Sequence, residues 1–324
     1  MFRRIILALA LLLAVGPALA DDLEGVAFSQ PVIGDNDLDD LKGVQKVAIA
    51  SFVVQYVTIQ NTTDGGAQVN FDATLNADPA KLQALTEKMY QDFQTGIKAA
   101  GFELVSHDTL LATPEYKTMQ EKSSATPLMM ETGSPGSKSG MYRSYFYTPK
   151  GIILNLKGDE YENHKKGYSG FSNLGDDTLT FTGRIGQAAI NWPYYDEDLQ
   201  DALGAATLHV RVFIPIAYVW SGKSYAGPWT HYTNGSMAAV RLGERFTRLA
   251  VGHKGDIAKI YLTEDVMIKG ITDAKMIKET TNLFGKVTGR EMEWSLKMDT
   301  YEEMIPKVVD HTLTKFLAKM KENI

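Results

Sequence analysis

The residues of this chain that could do chemistry are scattered. Its six histidines are His107, His164, His209, His231, His253 and His311, and no two of them stand four residues apart. No helix can therefore present the paired-histidine face of a zinc hydrolase. Gly167-Tyr168-Ser169-Gly170 and Gly222-Lys223-Ser224-Tyr225 both lack the second glycine of a nucleophile elbow, and both read as loops where a strand-to-helix turn is required. Gly222-Lys223-Ser224 resembles the end of a phosphate loop, but Ala217 stands where the leading glycine belongs. Asp35, Asp37 and Asp39 are spaced like the start of a calcium loop, yet Asp40 replaces its glycine and Lys46 its bidentate glutamate. There is no cysteine, which removes thiol nucleophiles, redox pairs and cysteine-ligated metals. The sequence thus assigns no catalytic residue, no metal ligand and no cofactor.

Two groupings remain. Asp196, Glu197, Asp198 and Asp201 cluster beside Tyr194 and Tyr195. As the acid and base of a hydrolase acting on an envelope polymer they would have to face one another across a cleft, whereas acids in a first helical turn simply favour the helix dipole. The aromatic residues are unevenly spread, with 17 of the 32 Phe, Trp and Tyr between Tyr142 and Tyr232. Rings offer large contact area at little entropic cost. Tyr145, Tyr147, Trp192, Tyr194, Tyr195, Trp220, Trp229 and Tyr232 are therefore the candidate ligand-binding residues; otherwise they close the open end of the core. His209 shares a strand face with Arg211 and Phe213 and reads as a satisfied sheet residue.

The elements that must position these residues can be traced along the chain. Lys46–Thr58 is a continuous β-branched and aromatic run, expected as a central strand. Asp64-Gly65-Gly66 suggests a hairpin whose second arm is 68–75. Asp78 caps a helix with Pro79 in its first turn, Leu82, Leu85, Met89, Phe93 and Ile97 on one face, and Gly101 as its stop. Phe102–Val105 is a second strand, parallel to the first, and Ser106 or Asp108 caps a short helix through Leu111. Residues 123–140 read as a flexible loop, 142–156 as strand, and 157–183 as a long glycine-rich excursion. Asp196–Leu203 is a short helix stopped by Gly204, followed by a strand Thr207–Trp220 in which Pro215 implies an edge or a bulge. Strands are expected at Ser236–Leu242, Phe246–Val251 and Ile257–Lys269, joined by hairpins at Gly243-Glu244 and His253-Lys254-Gly255-Asp256. Tyr301–Lys321 carries an apolar stripe at helical spacing, with Pro306 either beginning the helix or bending its first turn.

The whole is expected to be α/β (α+β): a single mixed β-sheet with packed helices, a β-α-β start, antiparallel hairpins and a C-terminal amphipathic helix. Residues 1–20 have the form of a signal peptide, with Arg3 and Arg4, an apolar run from Ile5 to Val15, and Ala18-Leu19-Ala20 before Asp21. Residues 21–45 form an acidic lead-in, and 46–324 a single domain with a long aromatic, glycine-rich insertion at about 112–195. Cleavage after Ala20 would leave 304 residues with 31 basic and 39 acidic side chains, a charge of −8. No later stretch is apolar enough to span a bilayer. The acidity and the lack of a dense basic run argue against nucleic acid. A periplasmic or secreted location is expected.

The order strand, capped helix, strand and capped turn, followed by Leu203-Gly204-Ala205-Ala206 leading into a strand, then hairpins and a closing helix, is similar to one known arrangement. It resembles the α/β domain of the curli-export lipoproteins and the amino-terminal domain of the Tol translocation protein, over about 45–111 and 200–320. The resemblance implies a non-catalytic envelope protein. This chain lacks their lipidated cysteine and any obvious pair of membrane-crossing hairpins. The function expected is an exported, non-catalytic envelope protein that binds a ligand or protein partner through the aromatic region. The hydrolase and a subunit of an oligomeric envelope assembly stand as alternatives. An envelope protein, a small ligand and a second copy are the partners left open.

Overall fold

The computed structural model describes residues 27–64, 69–123, 125–132, 141–154, 192–226, 229–244, 246–281 and 287–324. The signal-like segment and the 157–183 excursion lie outside them. The fold is mixed α and β, dominated by one nine-stranded mixed sheet.

Strand β1 (Ala27–Phe28) and strand β2 (Ile33–Asn36) precede β3 (Lys46–Asp64), β4 (Val69–Thr74) and β5 (Glu103–Leu104). The acidic lead-in is thus built into the fold, for β2 forms one edge of the main sheet and Leu38 and Leu41 are buried. β3 is the central strand, as its continuous apolar run required, but it extends six residues beyond Thr58 and pairs there with β4. Helix α1 (Pro79–Ala99) begins at Asp78, whose side chain accepts the Ala80 amide hydrogen bond. Gly101 follows at φ 87°, a left-handed stop that costs glycine little. β5 then pairs with β3 in parallel.

Ser106, rather than Asp108, caps α2 (His107–Ala112), its hydroxyl accepting from the Thr109 amide at 3.1 Å. Helix α3 (Pro114–Lys122) leads to β6 (Leu128–Thr132) and β7 (Met141–Tyr147). The expected loop at 123–140 therefore contains a strand, because Leu128–Thr132 gains a partner in β7 that composition does not reveal.

Helix α4 (Trp192–Leu203) starts four residues before the expected Asp196 and is followed by Gly204 at φ 56°. Strand β8 (Ala206–Ile214) runs parallel to β3. The expected single strand to Trp220 is divided at Pro215, and β9 (Ala217–Ala226) starts a separate ladder with β10 (Trp229–Ala238). β11 (Val240–Leu242) comes next, then β12 (Arg248–His253) and β13 (Asp256–Leu262) in a hairpin turned by Lys254 at φ 52° and Gly255 at φ 84°. Two successive positive φ values suit the primed turn that matches strand twist. β11 pairs with β14 (Val266–Lys269) and not with β12, so Gly243-Glu244 is no hairpin. An Arg241–Asp265 ion pair and the Glu244 amide, bonded to Asp265 at 2.9 Å, hold that corner. β15 (Thr272–Thr281) and β16 (Val287–Leu296), unforeseen from sequence, form a further two-stranded ladder. Helix α5 (Met298–Lys321) encloses Pro306, which neither starts the helix nor lies in its first turn.

The main sheet runs β2-β13-β12-β8-β3-β7-β6, with β4 and β5 also on β3. α1 and α5 cover one face. Phe52 meets Tyr90 and Phe93 of α1 at 5.6 and 5.9 Å between ring centroids, and Tyr56 Oη lies 3.1 Å from Thr86 Oγ1. The α5 stripe Ile305, Val308, Val309, Leu313, Phe316, Leu317 and Met320 is buried, as its spacing required. α3 and α4 serve the opposite face. Tyr116 of α3 donates to the Ala50 carbonyl at 3.0 Å, at the point where β3 bulges against β8. Gln200 of α4 donates to Thr207 Oγ1 at 3.3 Å. Among the described residues no helix is long and apolar enough to cross a membrane.

Candidate functional site

The eight aromatic candidates are carried by three elements, β7, α4 and the β9–β10 ladder. Tyr147 is buried at 2% exposure and packs edge-on to Tyr56 at 5.7 Å. Tyr145 lies on the same β7 face, half-buried against the core cluster. The structure spends both on the core beneath α1, because β7 pairs directly with β3 and shares its helix-covered face. Trp192, Tyr194 and Tyr195 occupy the first residues of α4. Trp220, Trp229 and Tyr232 lie on the β9–β10 ladder, where Trp229 pairs with Ala226, Tyr232 with Lys223 and Trp220 with Gly235. Since strand positions alternate, Trp220 and Trp229 share one ladder face and Tyr225 and Tyr232 the other. This ladder is hydrogen-bonded to no other strand among the described residues. It follows the C-terminal end of β8 and lies beside the β3–β4 arm, so Trp220, Trp229 and Tyr232 belong to one element.

The carboxylate candidates also resolve. α4 begins at Trp192, so Asp196, Glu197, Asp198 and Asp201 lie beyond its first turn and the dipole explanation for them fails. Glu197 and Asp198 are exposed. A Cβ placed on Gly255 would stand 3.7 Å from the Glu197 carboxyl, which sets that side chain against the β12–β13 turn. No two of these acids are brought face to face in a described cleft. Among the described residues no group of three or more His, Asp or Glu could hold a metal ion.

What sequence reasoning missed is a polar network on the sheet face opposite α1 and α5. Ser51 Oγ lies 3.0 Å from His209 Nδ1. Arg211 donates to Gln55 Oε1 at 3.0 Å, and Gln55 Nε2 donates to Ser144 Oγ at 3.2 Å. The Arg211 guanidinium stands over the rings of Phe146 and Phe246, 6.0 and 5.5 Å from their centroids. Gln55 and Ser144 are 0% exposed, and His209 is 6%. Buried polar groups cost several kcal/mol when unmatched, on the order of 1–3 for an amide or hydroxyl, so a network of matched ones constrains every member. Its sequence signal was Ser51 and Gln55, four residues apart in the otherwise apolar stretch 47–57 of β3, facing His209 and Arg211 two residues apart in β8.

A serine hydroxyl against an imidazole is also the contact that activates a nucleophile. Here both groups are buried within the sheet, and the hydroxyl satisfies the ring internally, as expected of His209. His253, at the tip of the β12–β13 hairpin, differs: burial, with the neighbouring Lys254 charge, holds its imidazole below the ordinary histidine value. No family model, curated protein or solved structure matches this chain.

Proposed function

We propose that this is an exported, non-catalytic envelope protein that binds a ligand or protein partner through its aromatic region, and that the contact lies on the β9–β10 ladder. The observation that carries the reading is that ladder's register, which sets Trp220 and Trp229 on the same face, six positions apart along it, of an element with no strand partner among the described residues. Aromatic residues along one face of such an element suit recognition, since rigid rings lose little entropy on contact. Export is supported by the basic, apolar and small-residue pattern of residues 1–20, with cleavage near Ala20 and a periplasmic or secreted destination. The resemblance to the curli-export and Tol domains is proposed on the β3–α1–β5 unit, the Ser106-capped turn and the Leu203-Gly204-Ala205 lead into β8.

A second reading, a subunit of an oligomeric envelope assembly, draws on the two ladders β9–β10 and β15–β16. Each pairs only with itself among the described residues, and unpaired strand edges are templates for further pairing.

Native mass spectrometry of the protein purified from its own envelope separates these readings. The expected spectrum shows a chain that starts at Asp21 and carries a bound mass, and that mass is lost in the Trp220→Ala/Trp229→Ala double variant. A ring of identical subunits without added mass favours assembly. A bare monomer in the wild type, or a bound mass indifferent to both substitutions, overturns the aromatic reading.

A further inference from the structure

The main sheet ends in two edge strands, β2 and β6. Val32, at 46%, and Met129, at 48%, are the large apolar residues left exposed among the described side chains, and they mark those two edges. The inner side of β2 is fully used. The Thr263 amide donates to the Val32 carbonyl at 2.9 Å, and the register continues as Ile33 with Leu262, Gly34 with Tyr261, Asp35 with Ile260 and Asn36 with Lys259. In an antiparallel ladder successive residues turn their N–H and C=O to one neighbour and then to the other. Val32, Gly34 and Asn36 therefore bond to β13, and Ile33 and Asp35 present theirs to the open side. No strand takes that side among the described residues, and a row of open backbone groups is a template for another strand.

The open span has definite ends. Pro31 has no N–H to offer, and Asp37 leaves the strand with a left-handed backbone at φ 58°. Residues 32–36 remain, with Gly34 at their centre. A span that is symmetric about one residue fits a second copy of itself, since a two-fold axis at Gly34 sets Ile33 of one chain against Asp35 of the other, in both directions. Those are the two residues whose backbone groups face outward. Shifted registers do worse. An axis at Ile33 sets Asp35 against Pro31, which lacks a donor, and an axis at Asp35 puts two carboxylates directly opposite, where like charges destabilise. In the favoured register Asp35 is no bare charge, for Lys319 of α5 holds it at 3.1 Å. Gly34 suits the axis as well. The two glycines form a non-hydrogen-bonded pair about 4.5 Å apart between Cα atoms, and a Cβ there would already stand 2.7 Å from Thr263 and 3.0 Å from Tyr261 of its own copy.

We infer that β2 is a homodimer seam, at which a second copy of this chain adds its own β2 antiparallel about Gly34 and continues the sheet. The occupant is a second copy because the span, its outward groups and its charge pattern are self-complementary. The pairing sets exposed Val32 opposite Asn36 of the second copy and so covers it. Short strands make a small interface, and the dimer is weak and concentration-dependent. The seam uses neither the β9–β10 nor the β15–β16 ladder, so it stands apart from both readings of the function.

Sedimentation velocity of the purified protein between about 1 and about 300 μM, the range in which a small interface associates, tests it. A monomer passing into a dimer is expected. Asp35→Pro removes an outward N–H from each copy while leaving the β2–β13 bonds, and should weaken the dimer about tenfold or more. Asp35→Ala keeps the N–H and loses only the ion pair, so its dissociation constant should stay within about threefold of wild type. Met129→Lys, on the opposite edge, should leave the dimer unchanged. The register has a test of its own, because the chain has no cysteine. Val32 and Asn36 of the two copies stand opposite in a non-hydrogen-bonded pair, close enough for a disulfide. Under mild oxidation a mixture of Val32→Cys and Asn36→Cys chains should cross-link into dimers of one of each, well above either variant alone. Circular dichroism checks folding, and if Asp35→Pro unfolds, the cysteine mixture decides. A monomer throughout the range, a dimer indifferent to Asp35→Pro or lost in Met129→Lys, or a mixture that cross-links no better than its components, overturns the seam.

Discussion

Two tyrosines in this fold should respond in opposite directions to the same substitution. Tyr301, near the start of α5, is 0% exposed, and its hydroxyl has no hydrogen-bond partner among the described residues. Burial raises its ionisation well above the ordinary tyrosine range, with Tyr56 adding to the effect. A hydroxyl buried without a partner forfeits its hydration, a cost of about 1–3 kcal/mol. Tyr301→Phe removes that cost and leaves a gap smaller than a methyl group, so a net gain of about 1 kcal/mol is expected. For a chain of this size that is an increase in Tm of roughly 2–4 °C. Tyr116 is equally buried, but its hydroxyl donates to the Ala50 carbonyl at 3.0 Å and accepts from the Ile153 amide at 3.1 Å. Tyr116→Phe strands both backbone groups at the β3 bulge and should cost about 2–3 kcal/mol. Urea unfolding of the two variants beside the wild type reads this directly, provided the m-values agree, so that a shift in midpoint is a shift in stability. If Tyr301→Phe proves destabilising by about 1 kcal/mol or more, its hydroxyl has a partner in solution and the reasoning fails.

Three further outcomes are expected. Gly243→Ala places a Cβ 2.3 Å from Phe213 Cδ1, an overlap that should cost about 1–3 kcal/mol in denaturant midpoint as the ring is displaced; a neutral result means the corner relaxes freely. Asp78→Ala removes the α1 cap and should lower stability by about 1 kcal/mol with no change in the circular dichroism of the folded state. Asp310 is held above the ordinary carboxylate value, first by burial and then by Asp92, with Lys88 and His311 opposing. The folded state therefore binds its proton more tightly than the unfolded state does. This contribution is full below the unfolded value and is lost as pH rises through the folded one. Asp310→Asn should flatten that part of the stability-against-pH curve, and an unchanged curve would contradict the assignment.

Local chemistry made much of the fold legible. Asp78, Pro79 and Gly101 bound α1 because caps and left-handed stops depend on residues a few positions apart. Lys254-Gly255 reads as a turn for the same reason, and the α5 stripe follows from its own period. The failures share a different cause. Leu128–Thr132 looks like loop, and the acidic lead-in like a solvated segment, until β7 and β13 supply their partners. The β2–β13 pairing joins residues more than 220 positions apart. The candidate aromatics divided likewise: Tyr145 and Tyr147 resemble Trp220 and Trp229 in composition, but only the first two lie on a strand that borders β3.

By itself, the sequence determined the charge, the absence of cysteine chemistry, both ends of α1, the cap of α2, and the apolar strand around which the sheet is built. Each is a property of composition or of neighbours within one or two turns of chain. Only the tertiary structure decided which polar residues meet. Ser51 and His209 are separated by 158 residues and Gln55 and Arg211 by 156, and no period in the chain joins them. Parallel pairing of β3 and β8, shifted one residue by the bulge at Ala50, puts them on one face, and burial there requires their polar groups to satisfy one another.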